Sequence, residues 1–566
     1  MHQDSVTLPY IPPPELHAPG PRRPVVVIGG GPVGLAAAID CGLNGIPVLL
    51  LDDDDTVSVG SRAICWSKRT LEIFDRLGAA EPMLAKGITW RVGRVFHRDR
   101  EVYSFDLLPE PGHKHPAFIN LQQYYVEEFL IDRARQLGNV EMRWRNRVVG
   151  LAPDAGGVTV EVETPDGRYK VEADWVLVCD GARSPARKML GLGFEGKVFE
   201  DRFLIADIRM KADFPTERWF WFDPPFHPGQ SALLHRQADD VFRIDLQLGW
   251  GADPEEEKKP ERVIPRLRAM LGEQAEFDLE WVSVYTFQCR RLERFRHGRV
   301  LFLGDSAHQV SPFGARGGNG GIQDADNLIW KLALVHRGAA PDGLLDTYDE
   351  ERIRGAEENI RHSTRATDFI TPKGPGAQAL RDAVLSLAGG NEHARRFVNS
   401  GRLSLPCSLD GLSLQTPDTD AWDGGTGPGA PCPDAPVLER DGRDSWLLDR
   451  LGGRFTLLVF ADGPGDVPER ADLERLRAHP AAPQILLAAS SAAPLAPMLP
   501  QVVDGQELAR RRYGARPGSV HLIRPDQHVV ARWHRFDLGR VSGALDRAIG
   551  LGVRQPSAAS MEGAAA

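Results

Sequence analysis

The strongest constraint on this chain is a short stretch near its start. Pro24 leads into Val25-Val26-Val27-Ile28, a β-branched apolar run that reads as a buried parallel strand. Gly29-Gly30-Gly31-Pro32-Val33-Gly34 follows, then the helix formers Leu35-Ala36-Ala37-Ala38-Ile39, then a second apolar run, Val48 to Leu51. This strand–turn–helix–strand unit of roughly 30 residues has the size of a βαβ crossover, which requires a parallel sheet with a helix on its face. The glycines fit G-x-G-x-x-G: Gly29 permits the tight turn, Gly31 lets a pyrophosphate approach the backbone, and Gly34 lets the helix pack on the strand. The partial positive charge of the helix N-terminus then faces the phosphate. In a chain with 58 glycines the spacing alone is weak. Asp52, at the end of the second strand, strengthens it, because its carboxylate can accept from an adenosine ribose hydroxyl and would repel a 2′-phosphate. Asp53, Asp54 and Asp55 read as a solvated charge run. A dinucleotide site for FAD or NAD follows.

At about 150 residues per domain, a chain of 566 residues holds three to four folding units. A net charge of −10 provides no electrostatic footprint for nucleic acid or an anionic membrane. The six cysteines, Cys41, Cys65, Cys179, Cys289, Cys407 and Cys432, form no CxxC and no close pair. They read as small buried residues in a reducing compartment, neither a disulfide framework nor a metal site. Met1 to Pro24 is polar and proline-rich, unlike a signal peptide, and no 18 apolar residues run together. A cytoplasmic protein is expected.

Further along, residues 195–295 alternate apolar and polar types, as in Val241-Phe242-Arg243-Ile244-Asp245-Leu246-Gln247-Leu248. That pattern predicts an inserted antiparallel sheet with one wet or ligand-facing side. Val300–Leu303 returns to the buried-strand pattern, with helix over Asp324–His336. Gly424 to Pro436 has linker composition. Beyond it, Phe455–Phe460, Gln484–Leu487 and Val520–Trp533 suggest a separate small α/β domain. Gly191–Val198 nearly matches a P-loop, but Val198 stands where a Ser or Thr is required, so it reads as a turn.

Two more strands deliver a carboxylate into flexible backbone. Val176–Cys179 leads into Asp180-Gly181-Ala182-Arg183-Ser184-Pro185-Ala186-Arg187, and Val300–Leu303 into Gly304-Asp305-Ser306-Ala307-His308 and Ser311-Pro312-Phe313-Gly314-Ala315-Arg316-Gly317-Gly318-Asn319-Gly320. With these motifs in this order over residues 25–365, the chain resembles the single-component FAD-dependent aromatic hydroxylases of the para-hydroxybenzoate hydroxylase type. It is most similar in look to the longer 3-(3-hydroxyphenyl)propionate and phenol hydroxylase-like members, which carry a thioredoxin-like C-terminal domain.

The resemblance implies a fold and a set of roles. The fold is α/β, a Rossmann-type FAD-binding domain with an inserted antiparallel substrate sheet and a thioredoxin-like domain. Its divisions are a flexible arm (1–23), the FAD-binding domain (24–194, returning at 296–365), the inserted sheet (195–295), a helical region and linker (366–436), a thioredoxin-like domain without CxxC (437–555) and a disordered tail (556–566). Gly29, Gly31 and Gly34 would cradle the pyrophosphate of tightly but non-covalently bound FAD, and Asp52 would hold the adenosine ribose. Arg62, in Ser61-Arg62-Ala63, would contact the phosphates, and Gln123 the ribityl–phosphate region. Asp180 and Gly181 belong to a motif linked with both FAD and NAD(P)H. Asp305 would bind the ribityl chain and Pro312 would border the substrate. Gly317 opens the turn whose next N–H groups, at Gly318 and Asn319, would meet the flavin's pyrimidine edge. Gly318 stands where many relatives carry a larger residue, a departure that widens or loosens the pocket.

The implied activity is hydroxylation of a phenolic ring through a flavin C4a-hydroperoxide, with O2 and transiently bound NAD(P)H as co-substrates, in aromatic catabolism. A reductase or epoxidase of the same fold, and a flavin-binding module without turnover, are the competing readings. The phenol-activating base stays open among His227, His235, Arg236, Arg243 and Tyr285, with Trp219 and Trp221 able to line an aromatic pocket or to sit in the core. A homodimer, the substrate's identity and NADH against NADPH are left open too.

Overall fold

The computed structural model describes residues 6–60, 62–398, 403 and 405–551. Ser61, the first five residues of the N-terminal arm and the tail 556–566 lie outside the described residues. The chain divides into two compact units: residues 1–110, 115–325 and 355–405 form one, and 111–114, 326–354 and 406–566 the other.

The first unit is built on the expected parallel sheet. Strand Arg23–Ile28 lies between Val48–Leu51 and Gly167–Val178, all parallel, with Val140–Arg143 and Val300–Phe302 extending it on either side. Val25, Val26 and Val27 are fully buried, which explains why this strand reads as continuous apolar sequence and not as an alternation. Helix Pro32–Leu43 covers it with small residues, Ala36, Ala37 and Ala38, all fully buried.

The second sheet has eight strands and is mostly antiparallel. Its centre is Glu195–Arg209, Val241–Leu248, Ser231–Arg236 and Arg218–Phe222, paired in that order. Val92–His97 and Arg100–Asp106 complete one edge, though they lie more than 100 residues earlier in the chain than most of their partners. The alternation in Val241–Leu248 does not mean one wet face, since all eight residues are buried. One face, with Phe242, Ile244 and Leu246, packs on helix Pro260–Leu271. The other carries the polar residues into the interior, next to a phenylalanine cluster of Phe203, Phe220, Phe222, Phe287 and Phe313. The P-loop-like stretch resolves into a turn at Gly191 followed by strand from Glu195 onward.

In the second unit, strand Thr456–Ala461 runs parallel to Gln484–Ala489 and antiparallel to Val520–Ile523, which pairs with Val529–Trp533. Helices Arg470–Arg477 and Leu538–Ala548 complete the thioredoxin-like core. The stretch 424–436 is pinned: the Gly429 carbonyl accepts from the Leu409 N–H, the Gly429 N–H donates to the Val529 carbonyl, and a Cβ at Gly425 would stand 2.5 Å from the Tyr513 carbonyl.

A buried ion network lies in this unit. Lys331 Nζ sits 2.7 Å from Glu351, and the Arg524 guanidinium reaches Glu351 and Asp526 at 2.5 Å each, with every one of these side chains sealed from solvent. Burial pushes the Glu351 carboxyl up, but Arg524 and Lys331 outweigh it and hold it at about 2. Two cations and two anions balance. Removing Arg524 leaves two carboxylates around one ammonium, so Arg524→Met should cost roughly 3–5 kcal/mol. An unchanged urea midpoint for the full-length variant would contradict this account.

Candidate active site

The first glycine turn has the geometry of a phosphate cradle. Gly29 has φ +107, and a Cβ there would lie 2.4 Å from the Cys179 carbonyl oxygen. At Gly34 a Cβ would lie 1.9 Å from the Gly29 oxygen, so helix and strand meet backbone to backbone. Gly31 differs from both: a Cβ there meets nothing within 4 Å. Gly31 also caps the helix Pro32–Leu43 without any side-chain cap, leaving the first-turn N–H groups turned to open space.

Asp52 is held beside this turn. Its Oδ2 accepts from the Gly30 N–H and its Oδ1 from the Asp54 N–H at 2.8 Å. Burial lifts its carboxyl to about 6 despite both bonds. A carboxylate offers about four lone-pair sites, so acceptor capacity remains. Asp180 is similarly half-used: Oδ2 accepts from the Ala186 N–H at 2.9 Å, while Oδ1 is buried without a partner. Gly181, beside it, has φ +74 and open space around its Cβ position.

Asp305 lies in a single 3-10 turn, Gly304–Ser306. Its side chain reaches solvent, yet the surrounding walls desolvate it enough to raise its pKa. The turn is held from behind by Asp324, whose Oδ2 accepts from the Gly304 N–H at 2.9 Å and lies 2.7 Å from His308 Nε2. A Cβ on Gly317 would stand 3.8 Å from Asp305 Oδ1, which places the start of helix Gly317–His336 against that carboxylate. This helix starts seven residues earlier than the sequence pattern predicts, because its first turn is made of glycines that carry no periodic signal. Pro312 is exposed, and the next residue, Phe313, joins the phenylalanine cluster.

Asn319 makes the densest set of contacts. Its Oδ1 accepts from the Ser67 N–H at 2.9 Å, Ser67 Oγ at 3.1 Å and Thr70 Oγ1 at 2.6 Å. Its Nδ2 donates to the carbonyls of Cys65 at 2.8 Å and Ala315 at 2.6 Å. Trp66 stands 3.4 Å from where a Cβ of Gly318 would be, so an indole wall occupies the neighbourhood of the missing side chain. Ser67, Thr70 and Trp66 carried no motif signal, since ordinary residue types in a short strand and helix announce nothing.

Gln123 accepts from the Ala63 N–H at 3.1 Å and donates to Glu127 at 2.8 Å, and Glu127 accepts from the Ser58 N–H at 2.6 Å. These two side chains therefore hold the backbone at Ser58 and at Ala63. The Arg62 side chain is exposed, near Asp54: burial raises that carboxyl and the Arg62 charge partly offsets the rise. The Arg62 carbonyl accepts from Arg243 Nη1 at 3.3 Å.

The candidates on the second sheet divide by face. Trp219 and Trp221 do not line the interior polar face: they point to the opposite side, packed on Phe96. Strand alternation requires this once Arg218, Phe220 and Phe222 face inward. His227 lies 2.6 Å from the Gln247 carbonyl through Nε2 and so ties a loop, and Arg236 reaches Asp240 at 3.7 Å. Arg243 is buried and paired with Asp207 at 3.2 Å. Tyr285 packs against the phenylalanine cluster, and His235 lies buried edge-on to Trp90.

Residues 22–363 match the model of a family described as an FAD binding domain. A 3-(3-hydroxy-phenyl)propionate/3-hydroxycinnamic acid hydroxylase of Mycolicibacterium smegmatis is 30% identical over 89% of this chain and 90% of its own. The chain belongs to the FAD-dependent monooxygenases. A 6-methylpretetramide 4-monooxygenase of Streptomyces rimosus is likewise 30% identical to this monooxygenase, over 92% of each chain. Residues 429–548 match the HcaD C-terminal domain. The solved flavin-dependent monooxygenase PieE, in complex with FAD and substrate, shares the fold: TM-score 0.79 at 22% identity, over 94% of this chain and all of that one. Among the described residues no helix is long and apolar enough to cross a membrane.

The residues fit FAD. The open face at Gly31, the uncapped helix start and the orphaned Asp180 Oδ1 are features a bound dinucleotide would complete. Gly31→Leu in the monooxygenase should therefore leave the stability of the flavin-free protein within about 0.5 kcal/mol while abolishing FAD retention on gel filtration. Gly34→Ala, which drives a methyl into the Gly29 carbonyl, should instead lower the melting temperature of the flavin-free form. Equal effects on both properties would remove the distinction between the two glycines.

Proposed function

We propose that this monooxygenase hydroxylates a phenolic aromatic ring, consuming NAD(P)H and O2. The observation that supports this best is the buried inner face of the second sheet. It combines a phenylalanine cluster with a charged row, and Arg243 on that row bonds the Arg62 carbonyl. The segment beginning at Arg62 continues into Cys65–Ser67, which Asn319 ties to the glycine-rich helix start. A phenylalanine-lined sheet face and the expected flavin edge thus share one piece of backbone. The Mycolicibacterium smegmatis relative is a hydroxylase of 3-(3-hydroxy-phenyl)propionate and 3-hydroxycinnamic acid, which agrees with a ring-accepting face.

In this reading bound FAD supplies the oxygen-activating redox chemistry. The chain's own residues do the rest. The N–H groups at the Gly31 turn bind the pyrophosphate, and Asp52 accepts from the adenosine ribose. Asp305 accepts from the ribityl hydroxyls. The N–H groups of Gly318 and Asn319, at a helix start, favour negative charge at the flavin's pyrimidine edge. Phe203, Phe287 and Phe313 keep the substrate side dry, which suppresses loss of activated oxygen to water.

The test is NADH and NADPH oxidation by the FAD-loaded protein in air across a panel of phenols, with hydroxylated product and hydrogen peroxide quantified together. One phenol should accelerate oxidation and yield near-equal product. No acceleration by any phenol, together with anaerobic reduction of a non-aromatic substrate, would replace this reading with the reductase alternative. Asp305→Ala should lose flavin on dialysis, and retention equal to the parent protein would count against its ribityl role.

A further inference from the structure

The inner face of the second sheet is organised in rows that cross the strands. One row runs Arg218, His235, Arg243, Asp207, Trp281, each the direct cross-strand partner of the next. The adjoining row runs Phe220, Leu233, Asp245, Ile205, Ser283. Within this patch Arg243 and Asp207 pair with each other, and Gln237 donates to Asp207 at 3.2 Å. Three other side chains do not find partners. Arg218, His235 and Asp245 make no hydrogen bond among the described residues, and Arg218 Nε, His235 Nδ1 and Asp245 Oδ1 are all sealed from solvent.

An unpaired buried polar group costs about 1–3 kcal/mol, and more when charged. Three on adjoining rows of one sheet face are a concentrated deficit, which a ligand placed among them would remove. The groups facing Asp245 are Arg243 on its own strand, Asp207 on the neighbouring strand and Arg218 two strands away, with His235 on the strand between and Cys65 across from the sheet. The imidazole is neutral, because burial and the charges of Arg218 and Arg243 pull its pKa well below the usual value. The vacant functions are then a cationic donor, a carboxylate acceptor and a neutral imidazole.

A substrate carboxylate would satisfy Arg218 but would confront Asp245 with a second negative charge. A hydroxyl satisfies both, accepting from Arg218 and donating to Asp245. We propose that Arg218, His235 and Asp245 form the subsite for an ionisable hydroxyl of the aromatic substrate, with Asp245 taking the hydroxyl proton and Arg218 holding the oxygen. The O–H bond breaks, its electron pair stays on oxygen, and the proton goes to the Asp245 carboxylate. His235 is a second hydrogen-bond partner for the same oxygen. The electron-rich ring so produced is the better nucleophile toward activated oxygen. This assignment rests on the aromatic-hydroxylase reading.

The test uses the FAD-loaded protein with 4-nitrophenol, 4-nitroanisole and 4-nitrobenzoate as probes, about one pH unit below the free nitrophenol pKa. The wild type should bind nitrophenol about tenfold or more tighter than either other probe, and chiefly as the coloured phenolate. Arg218→Met should weaken binding about tenfold or more and lose the phenolate band, because the cation that holds the oxygen is gone, while Asp245→Asn should still bind nitrophenol but slow hydroxylation of a phenol substrate about tenfold or more. Flavin content and melting temperature accompany each variant. Should Asp245→Asn fail to fold, Arg218→Lys carries the test, retaining at least part of the affinity that Arg218→Met loses. A wild type that binds nitrophenol without ionising it, an Arg218→Met protein that ionises it equally, an Asp245→Asn protein that hydroxylates a phenol at the parent rate, or a preference for nitrobenzoate overturns the subsite. Hydroxylation of a phenol alongside such a result overturns the subsite alone. An ionised bound probe with no phenol hydroxylated supports the subsite and overturns the hydroxylase reading.

Discussion

The side-chain amide of Asn319 is the interaction on which the arrangement of the site depends. A primary amide offers two donor hydrogens and two acceptor lone pairs, and here both ends are engaged. Through them the first turn of a long helix is fixed to strand Cys65–Ser67 and to the helix that follows it. Aspartate could not donate to the Cys65 and Ala315 carbonyls, and leucine would strip the Ser67 N–H and both carbonyls of this partner in a buried place. One backbone segment is thereby given two neighbours, the glycine-rich helix start and the charged sheet row, without a separate element to bring them together.

Polar groups are buried in this chain in two different ways. Around Glu351 the charges are matched and every major lone pair has a donor, so the cluster is closed to anything else. Around Asp245 the set is incomplete, and its carboxyl is pushed up to about 6 by burial that Arg243 and Arg218 only partly offset. The first arrangement fits a structural joint. The second leaves capacity unused where an aromatic ligand would bring its own polar atoms.

The sequence made legible whatever depends on local backbone. The turn at Gly29–Gly34, Asp52 after the second strand, and Asp180 and Asp305 after theirs are each set by a strand and the few residues behind it, and each follows a strand of the parallel sheet. What was not legible depends on pairing between distant strands. Val92–Asp106 joins the second sheet through a register that no local pattern records. The same register decides that Arg218 faces inward while Trp219 and Trp221 face away, although tryptophan is the more obvious candidate for an aromatic pocket. Asp245 reads as an ordinary ion-pair partner until His235, Arg243 and Arg218 are known to be its neighbours. The alternation over Val241–Leu248 was visible, but its polar half points into the protein, a distinction that requires knowing what lies over the sheet.

The division of labour between the two faces of that sheet bears on how such an enzyme diversifies. Residues of one parity, such as Phe242, Ile244 and Leu246, are committed to packing on a helix and are costly to change. Residues of the other parity include the phenylalanines of the second core, but Arg218, His235 and Asp245 among them make no side-chain hydrogen bond that the fold depends on. Ancestral chains could therefore exchange one substrate for another by point replacement along a single parity class, leaving helix and flavin turn untouched. Inserting or deleting one residue within a strand would do the opposite, swapping the two classes and losing both at once.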